Sequence, residues 1–180
     1  YLKKYKKNLI AGNNDRLITN ANIIIICIGT PVKKNTKPEL KEFFGLIKKL
    51  KKLINKNQLI IVRSSVYPGT IEKIKNLLKH KNNNISYCPE RILQGSALVE
   101  LNTLPQVISG INKKSINRSV LFFKTFVKEI IISSVIEAEL IKLFSNAWRY
   151  INFAASNQFY NICQKFDINF NELRKKMMKN

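Results

Sequence analysis

Ile23-Ile24-Ile25-Ile26-Cys27-Ile28-Gly29-Thr30-Pro31 decides how this chain is read. Six apolar residues in a row, five of them β-branched, leave no polar face, as in a central strand of a parallel sheet. Six residues are also far too few to cross a membrane. Gly29-Thr30-Pro31 then closes the run in a turn. Outward from here the pattern alternates. Pro38 to Ile54 sets Leu40, Phe43, Phe44, Ile47, Leu50 and Ile54 at helical spacing. Gln58 to Ser65 holds a second buried strand, Leu59-Ile60-Ile61-Val62. Pro68-Gly69-Thr70 is a turn, and Thr70 is the expected N-cap of a helix from Ile71 to Lys79. Asn82-Asn83-Asn84 turns into a short strand, Ile85 to Cys88. Val107-Ile108, within Pro105 to Gly110, is a fourth strand, Ser115 to Val127 a helix, and Ile130-Ile131-Ile132 a fifth strand. Alternation of this kind predicts an α/β fold, a parallel sheet with helical crossovers. Ligands of such sheets lie beyond the carboxyl ends of the strands. That points to Gly29-Thr30-Pro31, Ser64-Ser65 and Pro89-Glu90-Arg91.

From Val135 the period changes. Glu137 to Phe166 runs thirty residues without Gly or Pro, with Leu140, Phe144, Ala147, Trp148, Ile151, Ala155, Phe159, Ile162 and Phe166 at helical spacing. This predicts a long helix, a break at Asp167 to Asn169, and a second helix from Phe170 to Met178. Ser133-Ser134 is the expected boundary, between an α/β unit over 1–133 and the start of an all-helical unit over 134–180.

The composition tempers the charge. The 180 residues carry 32 Lys+Arg against 11 Asp+Glu, a formal charge of +21. Yet 26 Lys, 26 Ile and 22 Asn share AT-rich codons and rise together, while Arg, the residue suited to bidentate nucleic-acid contacts, numbers six. The lysines are scattered over predicted exposed helix faces. Nucleic acid is therefore not the expected partner, and a basic binding module rests on net charge alone. At 45% hydrophobic the chain holds enough apolar residues for a core, which excludes a disordered basic tail. Cys27, Cys88 and Cys163 are odd in number and far apart, so neither a disulfide framework nor a metal site is expected. With no signal-peptide core after Tyr1, a cytoplasmic location is the expectation.

Few residues carry chemistry. Lys142, Asn146 and Arg149 share one face of the long helix. A lysine beside an apolar stripe can hold an oxyanion, although spacing alone favours a snorkelling side chain. Glu90 follows a strand and can act as acid or base, or pair with an arginine as a loop salt bridge. Ser64 and Ser65 can donate to a ligand or water, or cap the following turn. The six glycines are too dispersed for a phosphate loop.

Four segments in order resemble the UDP-glucose/GDP-mannose dehydrogenase family. They are Ile23 to Pro31, Ile60 to Thr70, Cys88 to Ile92 with Ala97 to Leu101 and Leu104 to Ile108, and Glu137 to Leu143 with Asn146-Ala147. The Pro89-Glu90-Arg91 form and Leu104 to Ile108 are similar to the UDP-N-acetyl-mannosamine branch. The resemblance implies the C-terminal half of a Rossmann-like sheet, followed by the first helix of a central dimerisation domain. It implies NAD as cofactor, a UDP-sugar as substrate, and two oxidations of the sugar C6 alcohol to a carboxylate. It implies a homodimer formed through the long helix. By position, Ser65 matches a residue that holds water and Glu90 the acid/base carboxylate. Lys142 and Asn146 match the pair that stabilises the oxyanion. Gly29, Thr30 and Pro31 match the turn along the dinucleotide, with Ser64 beside it. The glycine fingerprint is expected before Tyr1 and the catalytic thiolate after Asn180, so the chain reads as an internal piece of an enzyme, inactive alone. The three cysteines lack the thiolate's context, and Cys27 and Cys163 are read as packing residues. A non-catalytic remnant is the other reading.

Overall fold

The computed structural model describes residues 8–31, 39–82, 84–92, 95, 100–101 and 103–179. The expected helix start at Pro38, the Lys3–Lys7 and Lys33–Lys37 clusters, Asn83 and the Ala97–Val99 stretch lie outside them. A 3-10 helix, Asp15–Asn20, which periodicity did not indicate, leads into β1 (Ile23–Ile26). Then come α1 (Lys41–Leu53), β2 (Leu59–Val62), α2 (Thr70–Leu78), β3 (Ile85–Tyr87) and β4 (Gln106–Gly110). The chain continues with α3 (Lys113–Phe123), β5 (Ile130–Ile132), α4 (Val135–Lys165) and α5 (Phe170–Met177).

The strands lie in sequence order across one five-stranded sheet. Alternate side chains sort its core into two layers, as the period of two requires. Ile24, Ile26, Ile60, Val62, Ile85, Tyr87 and Val107 pack with Phe43, Ile47 and Leu50 of α1 and Ile71, Ile74 and Leu78 of α2. Leu59, Ile61, Cys88 and Ile108 pack with Phe123 of α3 on the opposite face. All four residues of β2 are fully buried, each worth roughly 1.5–3 kcal/mol. Buried amides hold the turns at the amino ends of the strands. Gln58 Nε2 donates to the carbonyls of Ile18 (2.6 Å) and Ala21 (2.8 Å). Asn82 Nδ2 donates to those of Asn55 and Gln58 (both 2.7 Å).

The structure departs from the sequence reading in four places. β1 pairs with β2, β2 with β3 and β4 with β5 in parallel, but β3 and β4 are antiparallel. β3 ends and β4 starts at the same end of the sheet, where the Arg91 guanidinium donates to the Pro105 carbonyl. A connection that returns to the end it left reverses the next strand. Second, β2 rather than β1 is buried on both faces. Among the described residues β1 is an edge strand and Ile25 is 43% exposed, because α3 covers the sheet from β2 to β5. Third, Thr70 is the first residue of α2 rather than its cap. Gly69 takes the cap position at φ +85°, where a side chain would be strained. Fourth, Cys27 sits one residue beyond β1 and is exposed, so it is no packing residue, whereas Cys163 is buried on α4.

The long helix α4 opens with a capping box. Ser134 Oγ accepts from Glu137 N–H, and the Glu137 carboxylate accepts from Ser134 N–H at 2.7 Å. Its thirty-one residues span about 46 Å. Only Ala138, Glu139 and Cys163 are buried. Phe144, Trp148, Ile151, Phe159 and Ile162, all of the expected stripe, are each more than half exposed. No helix of the described residues is long and apolar enough to cross a membrane.

Candidate functional site

β1, β2 and β3 are parallel, so the three segments singled out by the strand-end rule emerge on one edge of the sheet. Two hydroxyls bind the first two together. Thr30 Oγ1 donates to the Ser65 carbonyl at 2.5 Å, and the buried Ser64 Oγ donates to the Ile28 carbonyl at 2.7 Å. Both hydroxyls thus fix the turns against each other. Gly29 and Pro31 are exposed above this clamp, and a Cβ on Gly29 would meet no atom within 4 Å. An open turn at a strand end fits one flank of a dinucleotide, which needs close backbone approach. The Ser65 side chain is half-buried at the mouth of the same edge.

The third segment carries the charge. Glu90 forms its ion pair with Arg63, at the end of β2, rather than with its neighbour Arg91. Arg63 is positioned in turn by Gln106, whose Oε1 accepts from it at 3.1 Å while Nε2 donates to the Val107 carbonyl at 2.7 Å. The guanidinium also lies 5.1 Å over the Phe123 ring. The other Glu90 oxygen accepts from Ile92 N–H at 2.9 Å. Burial works against ionisation of Glu90, but these hydrogen bonds and the Arg63 charge outweigh it and hold the carboxyl below its usual range.

Lys142 reaches this segment from α4: its ammonium donates to the Glu90 backbone carbonyl. Burial, then the charge of Arg149, push its pKa down; Glu90 opposes them, and Arg91 and Arg63 add to the fall. Asn146 stands half-buried one turn further along the same face. The structure therefore brings Glu90 and Lys142 together, and Thr30 with Ser64 and Ser65. A cation and an amide on one helix face, beside a carboxylate, suit an oxygen that gains negative charge during reaction.

Two residues of consequence had been given no role. Arg63 was readable as a lone arginine ending an apolar strand. Glu139 is fully buried, and its oxygens accept from the N–H groups of Gly69 (2.7 Å) and Ile71 (2.9 Å). It supplies α2 with the acceptor that Thr70 does not, and its charge complements the positive helix end. Cys88 lies beneath the site. Burial pushes its thiol up to about 12 despite the nearby Arg63 and hydrogen bonds involving Ser119 and Ser109, so it is no ready nucleophile.

With this geometry in hand, family models match twice. The NAD binding domain of the UDP-glucose/GDP-mannose dehydrogenase family covers residues 2–127, and its central domain covers residues 136–180. A UDP-N-acetyl-D-mannosamine dehydrogenase of Methanocaldococcus jannaschii is 35% identical over 154 residues, 83% of this chain and 36% of that protein. The UDP-D-ManNAc dehydrogenase structure from Pyrococcus horikoshii superposes with a TM-score of 0.79 at 26% identity, covering 90% of this chain and 40% of the other. A ternary complex of GDP-mannose dehydrogenase from Pseudomonas aeruginosa shares the fold with a TM-score of 0.87 at 21% identity, covering 99% and 44%. The chain thus spans about 36–45% of the length of the curated relatives it matches.

Proposed function

The chain belongs to the UDP-glucose/GDP-mannose dehydrogenase family, and from that premise we propose that it is the catalytic middle of an NAD-dependent UDP-sugar 6-dehydrogenase. The substrate we assign is a UDP-N-acetylhexosamine of the mannosamine type, with UDP-glucose as the alternative, and the product a uronate. The relatives' names support the first choice. In this reading 1–133 is part of the dinucleotide domain and 134–180 begins the helical dimerisation domain. The enzyme is cytoplasmic.

The observation that carries the proposal is the meeting of Lys142 with the Glu90 segment at the strand ends. When bound along the Gly29–Pro31 turn, NAD⁺ supplies the acceptor for hydride from C6. The chain's own residues do the rest. An ammonium has three donors; one rests on the Glu90 carbonyl, which aims the other two outward. Lys142 and Asn146 then hold the C6 oxygen as it becomes an alkoxide. Its lowered pKa makes the ammonium a readier proton donor to that oxygen. Glu90, kept ionised by Arg63, orients or deprotonates water, and Ser65 steadies that water. The exposed aromatic stripe of α4 is covered by the same stripe of a second copy.

The test is NADH formation by the complete enzyme with UDP-N-acetyl-D-mannosamine and with UDP-glucose. Lys142→Ala should lower kcat by about 10²–10³-fold, the usual loss for an oxyanion donor. Full activity in that variant overturns the assignment.

A further inference from the structure

That scheme leaves one buried charge without a task. Glu139 is fully buried and stands three residues before Lys142 on α4, about 4.5 Å back along the helix axis and on the same side. Its Oε2 accepts from Gly69 N–H at 2.7 Å and its Oε1 from Ile71 N–H at 2.9 Å, across seventy and sixty-eight residues of sequence. A helix start is ordinarily served by the side chain of its own capping residue, and Gly69 has none. Burying a carboxylate from a distant helix is a costly way to satisfy two N–H groups. It does something a local cap does not, which is to join two elements.

Those elements carry the two halves of the site. Gly69 closes the connection that leaves β2 through Arg63, Ser64 and Ser65. The start of this connection is held by Ser64 on the Ile28 carbonyl and by Thr30 on the Ser65 carbonyl, and Val66 is fully buried in its middle. Glu139 holds its end. On the other side, α4 has few attachments near Lys142. Ala138 is buried in the core, but apolar contact is non-directional and does not fix a helix along its axis. Two hydrogen bonds to one carboxylate do. The contact of Lys142 with the Glu90 carbonyl is made by a flexible four-carbon stem, which cannot set the helix either.

We propose that Glu139 is a positioning residue: by gripping the α2 end of the Ser65 connection, it sets where Lys142 stands against the Glu90 segment. The inference rests on the functional reading above, in which Lys142 holds the C6 oxygen.

NADH formation by the complete enzyme tests it, in a cycle of Glu139→Asp, Lys142→Ala and the double variant, with Glu139→Gln beside them. Glu139→Asp keeps the charge and both oxygens but is one methylene shorter, so α4 must shift to keep the bonds. A misplacement of about 1 Å predicts a kcat about ten- to hundredfold lower, while KM for the sugar nucleotide and for NAD⁺ hold. Glu139→Gln, of full length and with one acceptor oxygen, recovers part of that kcat. In the Lys142→Ala background Glu139→Asp costs no further kcat, because the group it positions is gone. Every variant is assayed below its unfolding midpoint, and if Glu139→Asp does not fold, Glu139→Gln carries the same cycle. A folded variant with wild-type kcat, a loss that falls on KM alone, or a loss that multiplies with that of Lys142→Ala makes Glu139 a brace of the fold only and overturns the proposal. A wild type that forms no NADH, or a fully active Lys142→Ala, instead sinks the functional reading, and this inference falls with it.

Discussion

Strand β2 and the outer length of α4 are both strongly apolar, yet they meet opposite fates. Leu59, Ile60, Ile61 and Val62 have lost all contact with solvent, while Phe144 and Trp148 are 65% and 66% exposed. β2 finds covers on both faces within its own chain, from α1 and α2 on one side and α3 on the other. The helix, after its first two turns, outruns the sheet. Hydrophobicity therefore states that a surface is to be covered, and leaves open by what. An exposed apolar patch of this kind is what an interface with another chain would cover. The candidate site lies at the seam between the two regions, where Glu139, Lys142 and Arg149 tie α4 to the strand ends.

Breaking the seam should do the most damage. Glu139→Ala leaves the half-buried Gly69 N–H and the buried Ile71 N–H at the start of α2 without that acceptor. At about 1–3 kcal/mol for each such group, urea unfolding should register a loss of roughly 2–6 kcal/mol. Glu139→Gln, which keeps one oxygen acceptor, should recover part of it. An unchanged midpoint in the alanine variant would mean that the helix does not brace the sheet.

Next in size is the exposed stripe. Trp148→Ser with Phe159→Ser removes two aromatic anchors that touch no core. If they form the interface, sedimentation should show the assembly dissociating, with about 2 kcal/mol or more lost from association. The near-ultraviolet signal of the α/β unit should persist. An assembly indifferent to both changes would dissolve the contrast drawn above.

The smallest effect belongs to Glu90. Its carboxyl is held below the ordinary value of 4.5 in the folded chain. It therefore adds stability that is complete above pH about 4.5 and fades as pH falls through the folded value. Glu90→Gln should be less stable at neutral pH by under about 1 kcal/mol, since the side chain is 41% exposed and the pair is screened by water. The difference should vanish in acid. Thermal melts between pH 3 and 7 decide it: parallel curves for the two proteins would deny the carboxylate this role.

How much could be read beforehand varied with sequence distance. The 59–62 strand matches the reading residue for residue, and the long helix begins two residues earlier than its pattern indicated. That Glu90 could pair with an arginine was legible, but not which one: Arg91 stands next to it in sequence, whereas the partner, Arg63, is twenty-seven residues away. Ser64 and Thr30 were legible as residues of strand-end turns, but not as the two halves of one clamp.

The sequence by itself determined the alternation of strands and helices, the edge of the sheet that gathers the reactive groups, and the helix face shared by Lys142, Asn146 and Arg149. These follow from backbone periodicities of 2 and 3.6, which act between residues a few positions apart. Only the tertiary structure decided that β4 runs against β3, that Arg63 holds Glu90, and that Glu139 caps a helix starting sixty-nine residues before it. A buried charge must be matched by whatever donors the packed chain brings within hydrogen-bond reach. That proximity is created by the crossovers, and no local pattern encodes it.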